Sequence, residues 1–106
     1  MNDRDKHQSI IDACLRMNAL GINQGTSGNI SLRHNEGMLI TPTSTPYEAM
    51  TPEQIVYMHL DGSHDAAQRP SSEWRFHRDI LKARPDVNAI VHTHPPYCTM
   101  LAIMGL

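Results

Sequence analysis

The feature that most restricts the fold is an alternating stretch at residues 29–43, NISLRHNEGMLITPT. Ile30 and Leu32 alternate with polar residues, a polar turn containing glycine follows at 35–37, and an apolar run returns at Met38. A period of two is typical of a strand with one buried face, and a short polar turn joins antiparallel strands. The stretch therefore predicts a β-hairpin.

Two segments with helical periodicity flank this hairpin along the chain. Residues 3–20 carry apolar side chains at helical spacing, and Gly21 stands where a helix commonly ends. Residues 71–83, SSEWRFHRDILKA, open with serines suited to N-capping, place Glu73 in the first turn and end in basic residues before Pro85. Each of these segments predicts a helix.

Shorter elements lie around the second helix. TPEQ at 51–54 has threonine at an N-cap and proline at the next position, which predicts a helical turn, and IVYMHL at 55–60 predicts a strand. DVNAIVHTH at 86–94 predicts a buried strand. YCTMLAIMGL at 97–106 predicts an apolar helix that needs further surface to pack against. We therefore expect the chain to be the N-terminal part of a longer domain.

Composition narrows the class of protein. The 106 residues form at most one domain, the net charge is -2 at pH 7, and lysines and arginines are scattered, so we expect no nucleic-acid partner. No stretch approaches the roughly 20 apolar residues of a membrane span, and the N-terminal segment is polar. We therefore expect a cytoplasmic protein without membrane contact. Cys14 and Cys98 lie far apart in sequence and are expected to be reduced.

Two histidines one residue apart, His92 and His94, end the last predicted strand. Side chains at i and i+2 of a strand leave the same face, so both imidazoles point toward one site, as zinc ligands do. A pair of half-buried histidines without a ligand is the alternative. Polar rings at the end of a buried strand need partners, and the upstream carboxylate of Glu73 is a candidate third group. Taken alone, Glu73 is also typical of a residue that caps its helix.

Two segments are typical of anion sites. PSSE at 70–73 combines two hydroxyls and a carboxylate with the N–H groups of a helix N-terminus, and GTSGNIS at 25–31 offers further N–H groups. An ordinary turn is the alternative for the second segment. His77 shares a helical face with Glu73 and is interpreted as a core histidine or one that supports the site. The other histidines are interpreted as surface residues: His7, His34, His59 and His64.

Four motifs in this order and at this spacing resemble the class II aldolases that act on sugar phosphates: NQGTSGNIS, MLITPTS, PSSEWRFH and AIVHTHPPYCTML. The resemblance covers essentially the whole chain. It implies an α/β fold with three layers, α/β/α, and a central, mainly antiparallel sheet. Residues 1–106 would form the N-terminal part of this single domain.

The resemblance also implies a function for individual residues. One zinc ion per subunit would be held by His92, His94 and a third histidine beyond residue 106, with Glu73 touching the metal at rest and then serving as acid and base. Six positions would hold the substrate phosphate and the enediolate oxygen: Gly28, Asn29, Thr43, Ser44, Ser71 and Ser72. The implied reaction cleaves a ketose 1-phosphate, in first place L-fuculose 1-phosphate, to dihydroxyacetone phosphate and L-lactaldehyde. The implied assembly is a homotetramer.

This chain departs from the family pattern at Ser44, where close relatives carry glycine. The substitution either narrows the approach of phosphate to the backbone or adds a hydroxyl donor. Three alternatives to the aldolase stay open. They are a sugar-phosphate 4-epimerase, which typically has Asp at the position of Glu73, a dehydratase acting on a methylthio sugar phosphate, and a binding module such as the adducin head, which loses the zinc histidines.

Overall fold

The structure, a computed structural model, describes residues 3–21 and 28–93. The elements in chain order are α1 (Asp3–Ala19), β1 (Asn29–His34), β2 (Gly37–Ile40), two 3-10 turns (Tyr47–Ala49 and Pro52–Gln54), β3 (Val56–His59), α2 (Trp74–Ala83) and β4 (Ala89–His92). The position of His94, the first part of the loop GTSGNIS and the apolar segment at 97–106 lie outside the described residues.

The four strands form one antiparallel sheet in the order β3-β2-β1-β4. The predicted hairpin is confirmed, because Ser31 lies opposite Ile40 across its two strands. β4 pairs with the other side of β1 and places Asn29 opposite His92. Residues that lie opposite each other in an antiparallel pair share a face of the sheet. The last described strand therefore brings its histidine beside the first residue of β1.

Helices cover both faces of the sheet. The α1 residues Ile10, Cys14 and Met17 pack with Ile30 and Leu39 on one face. On the opposite face, Leu81 of α2 belongs to a second buried cluster with Met38, Ile40, Val56 and Met58. The prediction of three layers, α/β/α, with an antiparallel sheet is therefore confirmed.

Helix α1 ends close to its predicted boundary. Gly21 follows it with a φ of 73°, a left-handed conformation that glycine adopts without strain. Cys14 is a free, fully buried thiol, and burial raises its pKa to about 12. Across 3–21 and 28–93, neither helix is long and apolar enough to cross a membrane.

Helix α2 begins later than its sequence predicts. Ser71 to Glu73 form a turn in which the Trp74 N–H donates to the Ser71 carbonyl at 3.1 Å and the Glu73 N–H donates to Ser71 Oγ at 3.2 Å. Because Ser71 satisfies these two donors in a tight turn, the helix starts at Trp74. Glu73 therefore occupies the N-cap position and not the first turn.

The prediction that β4 is a buried strand is wrong for its described residues. β4 lies at the edge of the sheet, and the Val91 side chain on it is 56% exposed. An apolar run is buried on both sides only when each face is covered, and an edge position leaves part of this strand open.

The interpretation of His34 as a surface residue is also wrong. His34 is buried, with Nδ1 3.1 Å from Lys6 Nζ and Nε2 3.5 Å from an Asp3 carboxylate oxygen. It leaves β1 on the same side as Ile30, because the two are separated by an even number of residues. That side of the sheet is covered by α1.

Candidate active site

One face of β1 is polar although it is covered by a helix. Asn29 and Ser31 leave this strand toward α2, where His77 lies between them with no exposed surface. His92 joins the same face through its pairing opposite Asn29. The packing of α2 on the sheet therefore gathers four polar side chains at one end of the interface.

Two backbone hydrogen bonds join the segment after β2 to the segment before α2. The Ser71 N–H donates to the Thr41 carbonyl at 2.8 Å, and the Thr43 N–H donates to the Arg69 carbonyl at 2.9 Å. Tyr47 is buried and donates its hydroxyl to the Gly28 carbonyl at 2.7 Å. These bonds bring three segments, distant in sequence, to the same place.

The joined segments enclose a cavity of about 210 Å³. Its lining contains all six positions that the family resemblance implies for substrate binding, together with Pro42 and Glu73: Gly28, Asn29, Thr43, Ser44, Ser71 and Ser72. Ligand sites for drug-sized molecules typically measure about 300–1,000 Å³, so this cavity suits a smaller group such as a phosphate. The described residues that line it include no lysine or arginine. An anion here would be held by hydroxyl and N–H donors.

Ser44 has an unusual backbone conformation in this cavity. Its φ is 52°, in the left-handed region that glycine favours, and its hydroxyl lies 3.5 Å from that of Thr43. The position where close relatives of the resembled family carry glycine is therefore one where the backbone geometry itself favours glycine. Serine adds a hydroxyl at this point of the cavity wall.

The Glu73 side chain does not cap its own helix. It makes no capping hydrogen bond, although Glu73 stands at the N-cap position. Instead, Oε2 accepts a hydrogen bond from Asn29 Nδ2 at 2.9 Å and contacts Nδ1 of His92. The side chains of Glu73 and His92 are about one third exposed, at 31% and 34%. Capping, the alternative for Glu73, is therefore not what its carboxylate does.

His77 is uncharged in this environment. Burial and, to a smaller extent, the nearby His92 lower its pKa from 6.5 to about 4, and the Glu73 carboxylate partly opposes them. Nε2 contacts Asn29 Oδ1, and Nδ1 lies 2.6 Å from Ser31 Oγ. The interpretation of His77 as a core histidine that supports the site agrees with these contacts.

The chemistry of the described donors fits a zinc ion. His92 supplies an imidazole and Glu73 a carboxylate, two of the ligand types that zinc takes, and they lie in direct contact. No group of three or more metal-ligating side chains occurs within 3–21 and 28–93. The structure thus brings together two of the implied metal contacts, His92 and Glu73, and His94 lies outside the described residues.

The sequence indicated the cavity residues only through their resemblance to a family. The parts that it missed are Tyr47, which donates to the carbonyl of the lining residue Gly28, and Ser31, which contacts His77. A signal for Ser31 exists in the alternation of β1, where Asn29, Ser31 and Arg33 occupy one face and cannot all face water if that face is covered.

Comparison with known proteins identifies the family of this chain. Residues 8–106 match the protein family described as Class II Aldolase and Adducin N-terminal domain. The L-fuculose phosphate aldolase of Escherichia coli (strain K12) is 52% identical over 98 residues, which cover 92% of this chain and 46% of that protein. The 5-methylthioribulose-1-phosphate/5-deoxyribulose-1-phosphate aldolase of Rhodospirillum rubrum is 48% identical over 96 residues, which cover 91% of this chain and 43% of that protein. The chain therefore spans just under half the length of these curated relatives.

Solved structures show the same fold. An L-fuculose 1-phosphate aldolase superposes with a TM-score of 0.86 and 31% identity, over 94% of this chain and 49% of that chain. The L-fuculose-1-phosphate aldolase from Thermus thermophilus superposes with a TM-score of 0.78 and 28% identity, over 94% of this chain and 51% of that chain. With its sequence match over residues 8–106, the chain belongs to the Class II Aldolase and Adducin N-terminal domain family.

Proposed function

We propose that the protein cleaves a ketose 1-phosphate, in first place L-fuculose 1-phosphate, to dihydroxyacetone phosphate and L-lactaldehyde in a zinc-dependent aldol reaction. The observation that carries this proposal is the set of contacts that the Glu73 carboxylate makes. It makes no capping hydrogen bond to its own helix, contacts His92 and Asn29, and borders a cavity lined by hydroxyl groups. The names of relatives that are 48% and 52% identical support an aldolase that acts on a phosphorylated ketose.

The cavity residues would bind the phosphate group of the substrate. Four hydroxyl side chains line it, close to the N-terminus of α2: Thr43, Ser44, Ser71 and Ser72. Neutral donors of this kind bind an anion without a cluster of lysines or arginines. This agrees with the net charge of -2 of the chain.

Glu73 would move the proton in this reaction. Cleavage of the bond between the third and fourth carbons of the ketose takes a proton from the hydroxyl on the fourth carbon, which becomes the aldehyde. It leaves a three-carbon carbanion equivalent that must receive a proton, so no proton is gained or lost overall. The hydrogen bond that Glu73 accepts from Asn29 Nδ2 holds Oε2 in place at the edge of the proposed phosphate cavity. A carboxylate positioned in this way can return a proton to the terminal carbon and take it up again in the reverse direction.

His92 and Glu73, with His94, would hold the zinc ion. When bound, zinc supplies a Lewis acid that stabilises the negative charge on the oxygens of the cleaved ketose phosphate. His92 makes its contact with Glu73 through Nδ1, so its ring orientation is set by a carboxylate on one side.

One observation favours a second candidate for the substrate. A relative from Rhodospirillum rubrum that is 48% identical is named for 5-methylthioribulose 1-phosphate and 5-deoxyribulose 1-phosphate. Both candidates are ketose 1-phosphates, so the phosphate cavity serves either. They differ in the part of the sugar that leaves as the aldehyde.

Zinc content and cleavage rate of the intact protein test the proposal together. Wild type, His92→Ala and His94→Ala are compared with His59→Ala, in which an exposed histidine of β3 is removed. We expect the first two variants to lose bound zinc and the cleavage of L-fuculose 1-phosphate, and His59→Ala to keep both. Stoichiometric zinc in the His92 and His94 variants would contradict the ligand assignment. If the wild-type protein cleaves 5-methylthioribulose 1-phosphate faster than L-fuculose 1-phosphate, the first compound is the better assignment of the substrate.

We also propose that the intact protein is a homotetramer in the cytoplasm. Three large apolar side chains of the described residues are strongly exposed and would be covered in an assembly: Leu20 at 60%, Phe76 at 64% and Val91 at 56%. Light scattering at micromolar concentration gives the mass directly. A monomeric mass would contradict the proposal.

A further inference from the structure

Four polar side chains form a continuous chain of contacts between the sheet and α2. Ser31 Oγ lies 2.6 Å from His77 Nδ1, His77 Nε2 contacts Asn29 Oδ1, and Asn29 Nδ2 donates to Glu73 Oε2 at 2.9 Å. His77 has no exposed surface, and Asn29 is 4% exposed. The chain of contacts therefore begins in the interior and ends at the carboxylate that borders the cavity.

The direction of every hydrogen bond in this chain follows from the chemistry of its members. An ionised carboxylate only accepts hydrogen bonds, so the Asn29 atom that faces Glu73 is the NH₂ group. Its carbonyl oxygen must then face His77, and Nε2 of His77 must donate to it. A neutral imidazole carries one N–H, so Nδ1 accepts the hydrogen bond from the Ser31 hydroxyl.

We propose that His77 is a positioning residue whose Nε2–H holds the Asn29 amide with its NH₂ group toward Glu73. This inference rests on the proposed function for its effect on the reaction rate. Without the imidazole donor, the buried Asn29 oxygen loses its partner from α2, and the amide can shift toward another donor. Such a shift weakens the hydrogen bond that Asn29 donates to Glu73 and loosens the carboxylate.

Apolar packing alone does not account for the choice of histidine at this position. His77 and Leu81 are both buried residues of α2, and Leu81 packs in an apolar cluster with Met38. An apolar side chain at position 77 would avoid the cost of burying an imidazole, which is offset only when both ring nitrogens are bonded. Burial also lowers the His77 pKa to about 4, so the imidazole keeps the same hydrogen-bonding pattern at neutral pH.

Kinetics of the intact, zinc-loaded protein test the proposal. We expect His77→Leu to lower kcat by about 10- to 100-fold, the usual effect of a residue that orients a ligand of a metal site, with zinc content unchanged. His77→Gln, whose side-chain amide can still donate to Asn29, should restore most of this loss. Leu81→Ala is the matched control, because it loosens the same helix without touching the polar chain. It should lower stability and leave kcat unchanged.

A double-mutant cycle separates positioning from general damage. If His77 acts through Asn29, then Asn29→Ala combined with His77→Leu should be no slower than Asn29→Ala alone, within about twofold. Two outcomes would overturn the proposal. One is kcat losses that multiply in the double variant, and the other is a His77→Gln protein as slow as His77→Leu. A kcat loss in Leu81→Ala as large as in His77→Leu would overturn it as well.

Nitrogen-15 NMR of the His77 ring gives a reading that does not depend on turnover. We expect a protonated Nε2 and an unprotonated Nδ1 from pH 6 to 8 in the wild-type protein. The opposite tautomer would overturn the positioning role whether or not the protein cleaves a sugar phosphate. A wild-type protein with this tautomer that cleaves no ketose 1-phosphate would instead contradict only the proposed function.

Discussion

The Glu73 carboxylate lies against the His92 imidazole, Oε2 in contact with Nδ1, across the boundary between α2 and the sheet. Glu73 stands at an N-cap, yet its side chain makes no capping hydrogen bond and instead accepts a hydrogen bond from the Asn29 amide. Removing the charge of this carboxylate should therefore affect the site far more than the helix.

We expect Glu73→Gln to lower the rate of ketose 1-phosphate cleavage by about 10²- to 10⁴-fold, because an amide neither takes up nor returns a proton. The fold and most of the zinc should be kept, since glutamine preserves the volume and no capping bond is lost. The measurements are steady-state cleavage and solvent exchange of the terminal hydrogen of dihydroxyacetone phosphate. Glu48→Gln, an exposed change in a 3-10 turn, is the control. Wild-type values for both reactions in Glu73→Gln would show that this carboxylate has no role in proton transfer.

Ser44→Gly should raise the free energy of unfolding by roughly 0.5–1 kcal/mol. Serine at a φ of 52° carries left-handed strain of about 1–2 kcal/mol, of which the greater chain entropy of glycine cancels about 0.5–1 kcal/mol. Urea unfolding provides the measurement. Ser72→Gly, in the same cavity but without a positive φ, should lower stability. A loss of stability in both variants would mean that Ser44 is not strained.

Gly37→Ala should lower the free energy of unfolding by about 3 kcal/mol, at the upper end of overpacking effects. A Cβ at Gly37 would overlap the Met58 carbonyl of the neighbouring strand and lie 2.9 Å from the Tyr57 hydroxyl. Gly21→Ala is the matched control, because it has a φ of +73° but no atom within 4 Å of an added Cβ. Its cost should be the left-handed strain alone, about 1 kcal/mol. Equal losses in the two variants would indicate that the strands separate easily at Gly37.

The free energy of unfolding should fall as the pH is lowered, in a pH window set by His77. Burial depresses its pKa from 6.5 to about 4 in the folded protein, so the unfolded chain binds more protons between these values. The contribution is therefore fully present above pH 6.5 and is lost as pH falls toward 4, with a maximum of about 3 kcal/mol. The measurement compares the unfolding of metal-free wild type and His77→Gln from pH 7 to 4, so that the difference between the two curves reports His77. Parallel curves would show that His77 is not held neutral.

The sequence predicted the hairpin, the capped turn at 51–54 and both helices, because each depends on local signals such as alternation, caps and stop residues. His34 shows where residue type misled the interpretation. Its position in phase with Ile30 and Leu32 predicts burial, and that phase determined its environment in the structure more than its polarity did.

The assembly of the candidate site has no local signal in the sequence. The hydrogen bond from the Ser71 N–H to the Thr41 carbonyl joins two segments whose proximity follows only from the packing of α2 on the sheet. Resemblance to a family identified the cavity residues for this reason, while periodicity did not. The exposure of Val91 was equally hidden, since an apolar run does not show whether its strand lies in the middle or at the edge of a sheet.

The pairing of β4 with β1 implies that the candidate site is assembled later than the hairpin. β1, β2 and β3 pair with their neighbours in sequence, whereas Asn29 meets His92 only after most of the described chain has been placed between them. Closing so long a loop costs more entropy than closing a hairpin. As the chain leaves the ribosome, the hairpin can form while His92 is still unsynthesised. We therefore expect a nascent chain to form its sheet before the candidate metal site is assembled.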